Sequence, residues 1–241
     1  MTQPLPPGAF AKALQEKRAA ARRRKLLIWG ISAGVIVVTL VVFYLAFLSP
    51  VFAARQVVVT GTELLDADEV RQAAAVQVGE PLARQDMAGI AARVQALPAV
   101  KEATVGVVLP DTVEIAVTER TVVFQRTNEG QVEWIDADGV VFHRTAKPTK
   151  GVVQVLAPTA DERLLRDIAT VAAHLPETVR KDLKTLRADG IDDIRLVLTE
   201  KRSVLWGNAA ESELKGEVLA VLLSKEARVY DVSAPRTPTT R

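Results

Sequence analysis

The feature that most constrains this chain is an uninterrupted apolar segment near its N-terminus. The 23 residues at positions 26–48 include no charged side chain. At about 1.5 Å per residue, a helix of this length extends roughly 34 Å, which is enough to cross the hydrocarbon core of a bilayer. Signal-peptide apolar regions are shorter, about 7–15 residues. We therefore predict an uncleaved transmembrane helix over residues 26–48, although Val51-Phe52-Ala53 loosely resembles a cleavage site.

The charged residues lie unevenly on the two sides of this segment. Residues 1–25 contain seven Lys or Arg and the single acid Glu16, whereas the following 216 residues contain 24 basic and 28 acidic side chains. The basic residues form one block beside the apolar run and no stripe across the folded part, which argues against nucleic-acid binding. By the positive-inside rule, the cluster before the run predicts a cytoplasmic N-terminus and an exported C-terminal part. The topology-determining residues are Arg22, Arg23, Arg24 and Lys25.

The first exported block has the pattern strand, helix, helix, strand and strand. Alternating apolar residues predict the strands, and Gly61 closes the first of them with a turn at positive φ. Asp66 and Glu69 have the spacing of a capping box at the start of the first helix. This order predicts two helices that cover one face of a small sheet. The predicted strands are residues 56–60, 103–107 and 113–117, and the second helix follows Asp86 and ends before Pro98.

The second block contains more strands and two predicted helices. Asp138-Gly139 supplies the turn of a hairpin that runs from Trp134 to Phe142. A capping box at Thr159-Ala160-Asp161-Glu162 begins the first helix of this block. The last helix is predicted to bury Leu214, Val218, Val221 and Leu222 along one face. Further strands are predicted at residues 151–156, 194–198, 204–207 and 227–232.

Taken together, these motifs resemble a known domain, the polypeptide-transport-associated or POTRA domain. In the first block they are Val57-x-Val59-x-Gly61, Gly79, Met87, Ile90, Leu97-Pro98-x-Val100, Leu109-Pro110 and Val113-x-Ile115-x-Val117-x-Glu119-Arg120. In the second block, Trp134-Ile135-Asp136 and Gly139-x-Val141-Phe142 resemble an element of the bacterial cell-division family FtsQ, also called DivIB. Because the motifs follow a single anchor with a basic tail, the resemblance covers nearly the whole chain.

The resemblance implies an α+β fold. It comprises a single N-terminal transmembrane helix, a POTRA domain of order β-α-α-β-β, and a strand-rich β-domain with two helices. The implied segments are a cytoplasmic basic tail at 1–25, the membrane helix at 26–48, the POTRA domain at 52–120, the β-domain at 121–233 and a flexible tail at 234–241.

The resemblance also implies a function. FtsQ proteins act in the divisome as non-enzymatic scaffolds that bridge early and late division proteins. They bind the small bitopic proteins FtsB and FtsL, chiefly FtsB, which adds a strand to the β-domain near its C-terminus. The resemblance therefore implies that this chain is a single-pass protein of the cytoplasmic (inner) membrane, concentrated at the division septum. Its implied partners are the lipid bilayer and FtsB-like and FtsL-like proteins. The resemblance implies no cofactor, no metal, no nucleic acid and no small-molecule substrate.

The terminal strand is the candidate partner-binding edge. An edge strand offers unpaired N–H and C=O groups that a partner segment can satisfy by strand addition. FtsQ proteins often have Arg where this chain has Ser233, and Arg236 is a candidate source of the missing charge. The alternative is an interior strand at residues 229–232 with both edges filled, which leaves only the tail to bind. In the edge interpretation, Val232→Pro weakens partner recruitment without unfolding the domain. The residues assigned to partner binding are Tyr230, Asp231, Val232, Ser233, Ala234 and Arg236.

Catalytic and metal-binding functions have weaker support. Because the chain has no cysteine, thiol catalysis, disulfides and cysteine-ligated metals are excluded. His143 and His174 fit surface or helix-capping roles. Asp136-x-Asp138-Gly139 lacks the later ligands of a calcium loop and is interpreted as a turn. Three more protein classes stay open: a glycosidase with two unmarked carboxylates, an anchored sensor, and a POTRA-bearing transport or envelope-assembly factor, which the lack of barrel strands disfavours.

Overall fold

The N-terminal helix is longer than the predicted membrane segment. The structure, a computed structural model, describes residues 9–157 and 161–241, with side chains from residue 25 onward. Helix α1 covers Ala9–Phe47, and its part Lys25–Phe47 is long and apolar enough to cross a membrane. The helix continues into the basic tail because Ala, Lys and Arg are strong helix formers.

A three-stranded sheet with two helices follows α1, in the predicted order β-α-α-β-β. The sheet has the strand order β1-β3-β2. On β3, Val113, Ile115 and Val117 are fully or almost fully buried, so this central strand carries the apolar face that the alternation predicts. The elements are β1 (Gln56–Thr60), α2 (Ala67–Ala74), α3 (Met87–Gln95), β2 (Val100–Val108) and β3 (Thr112–Glu119).

Two compact units divide the chain at positions inside this small sheet. The first, here called the helix-proximal unit, contains α1 together with residues 50–58, 75–87 and 105–114. Within it, the backbone N–H of Ala54 donates to Glu80 and that of Gly79 donates to Ala54, at 2.9 and 2.8 Å. These bonds hold the segment that leaves α1 against the loop after α2.

The other unit includes a nine-stranded mixed sheet, the architecture expected of the strand-rich second block. Its strand order is β12-β11-β10-β9-β8-β7-β4-β5-β6. The strands are β4 (Phe124–Asn128), β5 (Gln131–Ile135), β6 (Val141–Thr145), β7 (Val153–Leu156), β8 (Leu183–Gly190), β9 (Asp193–Leu198), β10 (Ser203–Gly207), β11 (Val229–Asp231) and β12 (Thr239–Thr240). The helices are α4 (Glu162–Ala173), α5 (Glu177–Asp182) and α6 (Ser212–Leu222).

Helix α4 has the predicted apolar stripe, but its cap is Asp161 and not a capping box from Thr159 to Glu162, because Glu162 is already the first helical residue. Asp161 is its N-cap, and Oδ1 accepts a hydrogen bond of 2.8 Å from the Leu164 N–H. Thr159 and Ala160, the other half of the predicted motif, lie outside the described residues. The buried stripe is Leu164, Leu165, Ile168, Val171 and Ala172, as the period of 3.6 residues requires.

Helix α6 buries only part of the predicted face: Leu222 is buried and Val218 packs against the core, but the prediction for Val221 is wrong. Val221 is 70% exposed, whereas Lys215 and Gly216 are buried. A Cβ on Gly216 would come within 2.4 Å of the His174 carbonyl oxygen, so the glycine lets α6 approach the end of α4 closely. Lys215 reaches the carbonyl oxygen of Asn208 with its ammonium group at 2.9 Å. Burial lowers the Lys215 pKa, and the nearby charge of Glu211 opposes that shift.

Asp136 lies at the turn that the sequence predicts, and it ties the two blocks together. Its Oδ1 accepts hydrogen bonds from the N–H groups of Asp138 and Val140, both at 2.9 Å. The Arg120 guanidinium, at the end of the first block, donates to Asp136 Oδ2. The Arg120 N–H donates to Ala99 at 2.8 Å. A carboxylate engaged in this way orders a turn and a domain junction.

The last strands of the sheet at its β6 end enclose an ion-pair cluster. Glu133 on β5 is 3% exposed and accepts from Arg126 Nε at 2.8 Å and from Arg144 Nη2 at 3.1 Å. Burial acts to raise the Glu133 pKa, but hydrogen bonds from Arg126, Asn128 and Arg144 and the Arg126 charge outweigh it. The pKa therefore lies below its ordinary value.

Candidate functional site at the end of the large sheet

The six residues assigned to the partner edge divide into buried and exposed groups. Tyr230 is 1% exposed, and its hydroxyl donates to the Lys225 carbonyl at 2.8 Å. Val232 is fully buried, and its N–H donates to the Leu205 carbonyl at 3.0 Å. Asp231 is half-buried, whereas Ser233 and Arg236 are exposed; Ala234 is exposed as well. Only part of the predicted set is therefore accessible to a partner.

The structure corrects the expectation that this strand is an open edge. On one side β11 pairs with β10 in parallel, with Val204 opposite Tyr230. On the other side it pairs antiparallel with β12, where Tyr230 faces Thr240 and Asp231 faces Thr239. In the described structure β11 is therefore an interior strand. The cause is a reversal after Pro235, where the Thr237 N–H donates to the Ala234 carbonyl at 3.0 Å.

Val232→Pro cannot test partner binding separately from folding, contrary to the expectation from the sequence. Proline has no N–H, and the Val232 N–H holds β11 to β10. The substitution would remove an internal hydrogen bond at a fully buried position, so loss of recruitment would not separate binding from folding. Donors that face β12, such as the Val229 N–H bonded to the Arg241 carbonyl at 3.0 Å, would be free for a partner strand only if β12 left.

β12 covers its neighbour with few contacts. It has two residues, of which Thr239 is exposed and Thr240 half-buried. Arg241, the residue after β12, forms two backbone hydrogen bonds with Val229 and accepts a third from the Arg228 N–H. Since each such bond contributes about 0.5–1.5 kcal/mol net to stability, β12 is held only weakly against β11.

Short polar contacts shape the chain beyond β11. Asp231 Oδ1 accepts from the Ser233 N–H at 3.0 Å and from its hydroxyl at 2.6 Å. Arg236 lies 3.5 Å from the Glu211 carboxylate, and its side chain is 84% exposed. The Ser233 N–H is thus bonded to a side chain and not to the sheet, and the Arg236 charge stays in water.

A groove of about 670 Å³ lies beside this strand. Its charged lining residues are mainly cationic, and Arg202 among them donates to Asp182 Oδ2 at 2.8 Å. The hydrogen bond to Asp182 raises the Arg202 pKa, burial opposes the shift, and the guanidinium stays charged. The groove suits acidic side chains of a partner. Its charged residues are Glu200, Arg202, Lys225, Glu226, Arg228 and Arg241.

Comparison with known proteins identifies the family. The family model for the POTRA domain, FtsQ-type, matches residues 52–120, and that for cell division protein FtsQ/DivIB, C-terminal, matches residues 123–233. Cell division protein FtsQ of Streptomyces bingchenggensis is 35% identical over 229 residues, covering 90% of this chain and 86% of that protein. The chain belongs to the FtsQ/DivIB family.

Other FtsQ proteins agree over shorter stretches. The protein from Streptomyces griseus is 36% identical over 191 residues, which cover 74% of this chain and 92% of that protein. The protein from Mycobacterium leprae is 32% identical over 197 residues, which cover 81% of this chain and 58% of that protein. This chain is thus an FtsQ-family cell-division protein with one candidate membrane helix near its N-terminus.

The remaining predicted site of this FtsQ chain is the topology-determining cluster. The side chains of Arg22, Arg23 and Arg24 lie outside the described residues, and Lys25 is exposed. Across residues 25–157 and 161–241, no group of three or more His, Asp or Glu side chains is arranged to hold a metal ion.

Sequence reasoning missed the cationic groove. Most of its residues lie in two turns, at 200–202 and 223–228, that come together only when β10 pairs with β11. The cluster of charges at positions 225–228 is a local signal, but its partner Arg202 is 23 positions earlier in the chain.

Proposed function

We propose that this FtsQ protein is a non-enzymatic divisome scaffold that bridges early and late division proteins. α1 spans the cytoplasmic membrane with its N-terminus inside the cell, and the two folded blocks lie outside it at the septum. FtsB-like and FtsL-like bitopic proteins are its partners. The observation that carries the proposal is a sheet whose terminal pair, β11 and β12, is held by few hydrogen bonds.

In this proposal an FtsB-like strand takes the place of β12. The partner pairs with the outward N–H and C=O groups of Val229 and Asp231 and extends toward Ser233, which β12 does not reach. A longer strand forms more ladder bonds than two residues do, so the exchange is favourable. Acidic side chains of the partner lie beside Arg202 and Arg228 in the adjacent groove.

Membrane anchoring makes a modest strand contact sufficient. Two proteins held in one membrane meet at an effective concentration far above that in solution, of the order of millimolar for short tethers. The contact between the isolated soluble parts is accordingly weaker than the interaction in the membrane.

Ser233→Pro tests the strand contact, and Ser233→Ala is its matched control. Proline removes the Ser233 N–H, whose bond in the structure is to the Asp231 side chain and not to the sheet backbone. Alanine keeps that N–H and loses only the hydroxyl bond to Asp231. We expect Ser233→Pro to lose co-purification with the FtsB-like protein and midcell recruitment, and Ser233→Ala to keep both. Equal recovery of the partner by the two variants, at equal thermal stability, contradicts the proposed site.

Localisation of a fluorescent fusion tests the wider role. A ring at midcell is the expected result for a divisome scaffold. Uniform envelope fluorescence in dividing cells contradicts it and favours a transport or sensing role.

A further inference from the structure

The tip of the hairpin between β2 and β3 is unusually apolar. Its sequence is Gly106-Val107-Val108-Leu109-Pro110, and Val107, Val108 and Leu109 are 42%, 49% and 69% exposed. Hairpin tips in water are normally polar, and a run of consecutive exposed apolar residues indicates a binding surface. This tip therefore needs an apolar environment that the chain itself does not supply.

A groove in the helix-proximal unit connects this tip to the end of α1. Its volume is about 510 Å³, and all its lining side chains are apolar. They come from the last turns of α1, from the short turn after α2 and from the hairpin tip. The residues are Val42, Leu45, Ala46, Phe52, Leu82, Ala83, Val107 and Leu109.

The depth of the groove follows from the length of α1. The apolar segment Lys25–Phe47 has 23 residues. At about 1.5 Å per residue it slightly exceeds a hydrocarbon core of about 30 Å. Val42 lies five residues, or about 7–8 Å, before Phe47 along the axis. The groove is therefore level with the boundary between acyl chains and headgroups when α1 spans the membrane.

We infer that the outer leaflet of the bilayer occupies this groove, so that the hairpin tip dips into the membrane interface. The inference rests on α1 spanning the membrane and on no protein partner. The α1 residues that line the groove belong to the same apolar segment that faces acyl chains deeper in the membrane. Lipid in contact with α1 can therefore extend directly into the groove. Arg84, next to Ala83, has a side chain 57% exposed and lies 3.9 Å from the Glu80 carboxylate, so this pair places polar groups beside the apolar groove.

The experiment uses the full chain, which contains no cysteine, in single-copy nanodiscs of phosphatidylethanolamine and phosphatidylglycerol. A fluorophore is attached at Leu109→Cys and, as control, at Val221→Cys, since the two positions are 69% and 70% exposed. Lipids with a nitroxide on the upper acyl chain act as quenchers. We expect strong loss of fluorescence at position 109 and little at 221.

Equal quenching at the two positions overturns the inference. A label at Val107→Cys gives a second reading on the same groove, and near-ultraviolet circular dichroism verifies the fold of each variant. Discs with two copies test the competing occupant. If quenching at 109 then falls, a second copy displaces lipid and the inference is wrong; unchanged quenching supports lipid. Because no FtsB-like protein is present, the result depends on α1 spanning the bilayer but not on the proposed partner contact.

Discussion

Gly61 shows how a single position limits what this fold accepts. Its φ is +81°, and a Cβ there would lie 2.1 Å from the Val117 carbonyl oxygen, on the central strand of the small sheet. Any side chain at this position meets both a disfavoured backbone conformation and fixed backbone atoms.

We therefore expect Gly61→Ala to cost about 3 kcal/mol or more in the free energy of unfolding, from strain and overlap together. Gly79→Ala is the matched control, because Gly79 has φ +92° but nothing within 4 Å of the added carbon. It incurs only the backbone strain, about 1–2 kcal/mol. Urea denaturation measures both, and equal losses would show that the Val117 contact is unimportant.

Glu133 gives a pH-dependent prediction. Its pKa is lowered in the folded state, so its contribution is fully present above the ordinary value of 4.5 and is lost as pH falls through the lowered value. Glu133→Gln leaves Arg126 without its counter-charge, and we expect it to lower stability by about 1.5–3 kcal/mol at neutral pH.

The comparison of Glu133→Gln with the wild type is made by thermal melts from pH 7 down to pH 3. The difference between them should shrink at the acid end. The exposed Glu102→Gln serves as control and should match the wild type throughout. A difference for Glu133→Gln that stays constant with pH would contradict the charge explanation.

Sequence reasoning at this scale succeeded where the signal is local and failed where it is not. The Asp136 turn follows from Asp-x-Asp-Gly spacing, because its hydrogen bonds span only four residues. The burial of Lys215 does not follow from any pattern. Its ammonium group is placed by the close approach of Gly216 to His174, which joins parts of the chain about forty positions apart.

Among the elements, β12 has the clearest consequence for function. If a partner strand replaces it, ending the chain at Thr237 removes an internal competitor. In the full chain only molecules with β12 undocked can bind the partner strand, which lowers the apparent affinity. We expect the affinity of the truncated chain to be up to about tenfold higher.

Titration of the FtsB-like protein onto the truncated and full chains in nanodiscs measures this change. The truncated chain must show the melting temperature of the full chain before its binding is compared. Loss of binding on truncation would contradict displacement of β12 and mean that the removed residues themselves contact the partner, through β12 or through Arg241 of the groove.

The elements that the sequence analysis missed share a weak hydrophobic pattern. β4 and β8 contain Gln, Arg, Lys and Asp between few apolar residues, and the sheet supplies their pairing on both sides. β12 is Thr-Thr after a proline, which carries no strand signal by itself. Strands with strong alternation, such as β3 and β9, were predicted because their own residues specify the buried face.

We propose that the basic cluster before α1 sets the orientation of the whole molecule. Replacing Arg22, Arg23, Arg24 and Lys25 by serine removes the charge bias that keeps the N-terminus inside in this proposal. We expect a fraction of the chains to insert with reversed topology. A periplasmic-type phosphatase fused to the C-terminus reports this as lost activity.

The control for the topology experiment keeps the charges and changes the residue. Lysine at positions 22, 23 and 24 should preserve phosphatase activity, because the bias depends on positive charge. Equal activity of the serine and lysine versions would show that another part of the chain sets the orientation.

The Arg144 ion pair has a consequence at the opposite end of the large sheet. β6 is the last strand there, and Arg144 on it reaches back to Glu133 while 63% of its side chain stays in water. A charged group on a terminal strand discourages fibril-like stacking of identical molecules. Where identical chains lie close together, that charge therefore disfavours pairing through the β6 edge.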